Sequence, residues 1–113
     1  MDVCQIEGKK LAKAVTDRGL KLYAIHVGTL HGSNRSAAMY QLLYIKRAID
    51  VLADAGADQL VFTGWPREGE KPEDLVAPLE NVLAHMEKTP VKLGLENHYK
   101  NRIETIEDFD YLA

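Results

Sequence analysis

The chain has 113 residues, with 14 Lys+Arg against 17 Asp+Glu and a formal net charge of −3. A composition of 46% hydrophobic and 27% charged residues fits one globular domain, and it excludes a disordered chain and a basic surface for nucleic acid or anionic membrane. The lone Cys4 excludes a disulfide framework or multi-cysteine zinc site, no run approaches the ~18 apolar residues that span a membrane, and MDVCQIEGKK lacks the basic and apolar regions of a secretory signal, so the cytoplasm is the expected compartment.

Residues 2–7 (DVCQIE) read as a short first strand. Residues 8–18 follow as a helix packing through Leu11, Ala14 and Val15; one continuous helix over both segments is the alternative, against which Gly8 counts. Residues 20–27 (LKLYAIHV), 58–63 (DQLVFT) and 91–97 (VKLGLEN) are short and mainly apolar, without strict polar alternation. That pattern suits parallel strands covered by helices. Between the first two, residues 36–55 place Ala38, Leu42, Ile45, Ile49 and Leu52 on one helical stripe, with Lys46, Arg47, Asp50 and Asp54 toward water. Gly56 stands where a left-handed residue would end that helix.

A further helical stripe runs through Leu75, Val76, Leu79, Val82, Leu83 and Met86. Pro72, Glu73 and Asp74 suit its first turn, but Pro78 would then lie too deep, so a kink or a later start is expected. Thr105-Ile106-Glu107-Asp108 resembles a capping box opening a last helix, with Phe109 and Leu112 inward. That helix reaches Ala113 after fewer residues than the ~10–14 usual for one, so the chain is expected to be a cut barrel.

The order is β-α-β-α-β-α-β-α, four βα units, which implies an α/β fold of parallel strands joined by crossovers. A small open sheet and part of a (β/α)8 TIM barrel both fit, with residues 1–113 as one partial domain. No G-x-G-x-x-G or G-x-x-x-x-G-K-[ST] loop supports the open sheet.

In either architecture chemistry gathers beyond the carboxyl ends of the strands. Those ends carry His26, His31 and Arg35, then Trp65 and Arg67, then Glu96, His98, Lys100 and Arg102. The opposite joints are short and plain. If Val91, Leu93 and Leu95 face the helices, Lys92, Gly94 and Glu96 point into the barrel. An inward carboxylate at the rim must be hydrated, paired or metal-bound; an ion pair with Lys92 or Arg102 is the structural alternative. Glu96, His26 and His98 offer oxygen and nitrogen ligands for a divalent ion. Trp65 suits an apolar wall beside a ligand or a loop anchor. Arg35, Lys100 and Arg102 suit a phosphate or carboxylate, and Glu104 a second carboxylate for proton transfer. His85 belongs to a helix surface.

HVGTLHGS, YIKRAIDVLADAGADQLVFTG and LGLENHYKNRIETIEDF resemble the xylose isomerase-like TIM barrels, which include sugar and sugar-phosphate isomerases and epimerases and endonuclease IV-like enzymes. The resemblance implies about half of such a barrel, from about Gly19 to the end. It implies Glu96 as ligand to Mn²⁺, Mg²⁺, Zn²⁺ or a similar ion, Glu104 as an acid near the substrate, and His26 as a contact to substrate or metal. Trp65, His98 and Arg102 complete the expected substrate contacts. The family's remaining ligands, an Asp, a His and a second Glu, come from later strands. Thr63-Gly64-Trp65 stands where many relatives carry a histidine.

The leading expectation is a half-barrel of a metal-dependent sugar or sugar-phosphate isomerase or epimerase working through an enediolate, closed by a second copy as one variant. A non-catalytic barrel fragment or binding module is the alternative. An abasic-site endonuclease relative ranks last, because it would need several zinc ligands and a cationic groove.

Overall fold

The computed structural model describes residues 5–30, 35–64 and 66–113, the side chain of Arg35 excepted. In chain order these form α1 (Gly8–Thr16), β1 (Ala24–Leu30), α2 (Arg35–Ala55), β2 (Gln59–Gly64), a 3₁₀ turn (Pro72–Leu75), α3 (Val76–Met86), β3 (Lys92–Glu96) and α4 (Ile106–Leu112). The strands make one parallel sheet in the order β1-β2-β3. Of the strand expected on residues 2–7, residues 2–4 lie outside the described residues, and residues 5–7 hold no strand.

α2 ends as its glycine predicts. Gly56 has φ 75, its N–H reaches the Ala53 carbonyl at 3.2 Å, and the Ala57 N–H reaches Leu52 at 3.0 Å. These two bonds satisfy carbonyls that the last turn leaves free. Of the two outcomes expected at Pro78, the later start is the one observed. The 3₁₀ turn absorbs Pro72, α3 starts at Val76, and Pro78 falls in the first helical turn, where no N–H has an intrahelical partner to lose.

The first observed strand lies later than the apolar run 20–27. The Leu20 N–H bonds back to Val15 at the end of α1, so pairing begins only with Ala24 against Gln59. At its far end β1 continues past Gly28. His26 pairs with Val61 and Thr29 with Thr63, so β1 carries one extra residue there. Gly28, at φ 80, supplies the backbone conformation such a bulge needs.

Alternate strand residues turn to the helices. Ile25, Val27, Leu60 and Phe62 are buried with Ile45, Ile49 and Leu52 of α2 and Leu79 and Val82 of α3, while Leu93 and Leu95 pack against this core. Each such side chain contributes about 1.5–3 kcal/mol when fully removed from water. The opposite face is open: His26, Lys92 and Glu96 are exposed. An open parallel sheet carries helices on both faces, whereas a barrel keeps them outside and turns the other face inward. One covered face and one open face are therefore those of a partial barrel. Among the described residues no helix is long and apolar enough to cross a membrane.

Candidate functional site

The open face places His26, Val61, Thr63, Lys92, Gly94 and Glu96 by strand alternation and register: His26 beside Val61, Val61 beside Gly94, Thr63 beside Glu96. β1 and β3 are separated by β2, yet His26 Nε2 and Glu96 Oε2 lie 3.0 Å apart. Gly94 lies beside the central strand; a Cβ there would meet Val61 Cγ2 at 3.3 Å. Its missing side chain leaves the face low beside Val61, next to Glu96 on the same strand.

The hydrogen bonds fix the tautomer. The Gly28 N–H donates to His26 Nδ1 at 3.2 Å, so Nδ1 is the acceptor and the ring proton sits on Nε2, which donates to the carboxylate. The bulge that lengthens β1 thus also turns the Gly28 amide toward the imidazole. Both side chains keep half their surface in water, 49% and 51%, so they are reachable from the open face. The structural alternatives for Glu96 are not realised: its partner is His26, and Arg102 is engaged elsewhere.

A second cluster ties the loops after β2 and β3. Asp108, 8% exposed, accepts from Arg67 Nη2 at 2.5 Å and Arg102 Nη2 at 2.6 Å. It also accepts from the N–H groups of Glu104 and Thr105 at 2.9 Å and the Thr105 hydroxyl at 3.3 Å. Burial alone would raise its pKa; the Thr105 and Glu104 amides, then the Arg102 hydrogen bond and the Arg67 charge, outweigh that and hold the carboxyl far below the usual carboxylate range. The expected cap is therefore present, with Thr105 as N-cap of α4, and it doubles as an anchor for two arginines. Arg67 Nε also lies 3.5 Å from Glu104 Oε2. Further bonds close the rim: Arg67 N–H to the Lys100 carbonyl at 2.8 Å, and Asn101 Nδ2 to Thr63 Oγ1 at 3.1 Å.

Pro66, Arg67, Glu68, Lys100 and Glu104 line an open depression of about 520 Å³ at this rim. Of the expected site residues, His26 and Glu96 are brought together, and Glu104 lines the depression. His98 is exposed on the loop after β3, its Nδ1 3.1 Å from the Tyr99 carbonyl. Arg102 is 9% exposed and committed to Asp108. Lys100 sets its ammonium 5.2 Å from the Tyr99 ring centroid. Trp65 and His31, and the side chain of Arg35, lie outside the described residues. His85 bonds Asp50 at 2.8 Å, holding α3 to α2. Sequence reasoning gave Arg67 no role and read Asp108 only as a cap; the sole signal was an acid at the helix start with arginines in both rim loops. Among the described residues, no group of three or more His, Cys, Asp or Glu side chains is placed to hold a metal ion.

The family model described as xylose isomerase-like TIM barrel matches residues 2–113. The crystal structure of the IolI protein with a bound zinc atom superimposes with a TM-score of 0.75 at 16% identity, over 95% of this chain and 41% of that chain. At that identity the likeness shows the fold, and the chain spans about two-fifths of that protein's length. None of the curated proteins compared with the chain matches it.

Proposed function

The chain belongs to the xylose isomerase-like TIM barrel family, and from that premise we propose that it carries the His26–Glu96 side of a metal-dependent sugar or sugar-phosphate isomerase or epimerase site. The observation that carries this reading is the His26–Glu96 pair, an imidazole and a carboxylate 3.0 Å apart on the open face of a parallel sheet. Nitrogen and oxygen donors of these kinds suit zinc or manganese, and the zinc bound in IolI supports the same choice. Two donors are a partial set, so the remaining ligands come from beyond the described residues.

Within this reading Glu96 is the metal ligand. His26 would contact the substrate through its Nε2–H, or, with the ring proton shifted to Nδ1 and the Gly28 contact released, would join the ion through Nε2. The bound ion would polarise the sugar carbonyl. Glu104, at the depression on the rim, moves the proton between neighbouring carbons. His98, on the loop after β3, contacts the sugar. Arg102 acts by holding the rim through Asp108.

A barrel also needs its sheet closed, because an edge strand with unpaired amides invites pairing. A second copy of the chain, giving a homodimer, is the partner proposed for that closure. Titration of the chain with Zn²⁺ and Mn²⁺ by calorimetry, with native mass by light scattering, tests both parts. Glu96→Gln is expected to weaken metal binding at least tenfold, and metal is expected to favour a dimer. Equal binding by wild type and variant would refute the site, and a monomer at every metal concentration would refute the closure. Conversion of an aldose and ketose panel, phosphorylated and not, then identifies the substrate; no turnover by a metal-bound dimer would return the chain to the class of non-catalytic barrel modules.

A further inference from the structure

We infer that Arg67 is the positioning residue for Glu104, clamped in turn by Asp108; this rests on the reading of Glu104 as the proton-transfer acid. Arg67 follows β2, and Glu104 and Asp108 follow β3, so the arrangement crosses between two rim loops. The Arg67 guanidinium is fixed at one nitrogen by the 2.5 Å bond from Nη2 to Asp108. Its Nε is buried, has no hydrogen-bond partner among the described residues, and lies 3.5 Å from Glu104 Oε2.

A guanidinium is planar and its donors are rigidly spaced, so with Nη2 held the direction of Nε–H is set as well. A buried donor without a partner is unfavourable, and the acid 3.5 Å away is Glu104. Closing that gap by a fraction of an ångström satisfies the donor and fixes the carboxylate on the wall of the depression that both residues line. Asp108 makes the arrangement stiff from both sides, since it also holds the Glu104 backbone N–H at 2.9 Å. Backbone and side chain of Glu104 are thereby tied, directly and through Arg67, to one buried carboxylate. A lysine at position 67 would keep the charge and lose the fork.

The test is side-chain NMR of the isotope-labelled chain, comparing wild type with Arg67→Lys. Arg67 is 38% exposed at its side chain, so the variant is expected to fold, with core methyl signals of Leu60 and Val82 unshifted. In the wild type, the Arg67 Nε–H should show a nuclear Overhauser effect to the Glu104 γ-methylene, and Glu104 should have couplings of a single χ1 rotamer. In Arg67→Lys those couplings should become rotamer-averaged. Unchanged Glu104 couplings in a folded Arg67→Lys would overturn the inference. Where the chain proves active, Arg67→Lys should lower kcat about tenfold with KM nearly constant, and an unaffected kcat would equally overturn it. An inactive wild type would count against the proposed function alone, because the spectroscopic comparison still decides the role of Arg67.

Discussion

His26 and Glu96 stand on strands that do not pair, and their side chains meet at 3.0 Å across β2. Three features of the central region allow this: the bulge at Gly28, the flat surface at Gly94, and the alternation that aims both groups away from the helices. Each can be changed separately.

The Nε2-protonated tautomer of His26 follows from the Gly28 amide at Nδ1. Long-range ¹H–¹⁵N correlation at neutral pH is expected to show a protonated Nε2 and an unprotonated Nδ1. In Glu96→Ala the Nε2 proton loses its acceptor, but the Gly28 amide still faces Nδ1, so the Nε2 tautomer should persist. A wild-type ring protonated on Nδ1 would contradict the arrangement.

Gly94→Leu places a side chain beside the line between His26 and Glu96. Its Cβ would press on Val61 Cγ2 at 3.3 Å, a tight contact on an open face where the branch can turn outward. The fold is expected to survive, with the helix-facing core unshifted in methyl spectra. The hydrogen bond from His26 Nε2 to Glu96 should be lost and zinc affinity reduced at least tenfold. Retention of both would show that the glycine is not needed to keep the face clear.

Asp108→Asn removes the charge that two arginines share. Breaking a buried ion pair by deleting one partner costs about 3–5 kcal/mol, and that loss is expected in urea unfolding near neutral pH. The pH dependence carries a sign. The folded carboxyl is held below its ordinary value, so its stabilisation is fully present above the unfolded pKa of about 3.9 and drains away as pH falls below it. The gap between wild type and Asp108→Asn should therefore narrow from pH 6 to pH 3. A constant gap across that range would mean that the charge is not what stabilises the rim.

Gly8→Ala should undock α1. A Cβ on Gly8 would press on the Val51 carbonyl and lie 2.8 Å from both the Ala55 nitrogen and the Asp54 Cβ, where the backbone of α2 leaves no space. Overpacking of this kind costs about 1–3 kcal/mol. Loss of hydrogen-exchange protection confined to residues 8–16 is the expected signature; an unchanged exchange pattern would contradict the contact.

Gly8 shows how far local reading reaches. As a sequence feature it argues against a continuous helix, and that is correct. Its larger role is the close approach to α2, 45 residues away in the bond from the Lys9 N–H to Asp54 at 3.2 Å, and no local pattern encodes that. The helix stripes, the Gly56 terminator and the cap at Thr105 were legible because each depends on residues within one or two turns. The strand expected over residues 20–27 stops short of the observed Leu30, because the bulge at Gly28 lets pairing resume beyond the apolar run.

The sequence by itself determined the alternation of helices with the three observed strands, the buried stripe of α2, and the gathering of polar residues at the carboxyl ends of the strands. These follow from periodicity and backbone preference, which act over a few residues. Of the expected inward residues, Ala14, Val76 and Leu83 are exposed, and Leu75, Leu79, Val82 and Met86 alone carry the buried side of the 3₁₀ turn and α3. Only the tertiary structure decided which polar groups meet. It gave Glu96 to His26 rather than to Lys92 or Arg102, and turned Arg102 and Arg67 onto Asp108. Those choices depend on sheet register and on loops crossing between units, where residues 70 apart become neighbours.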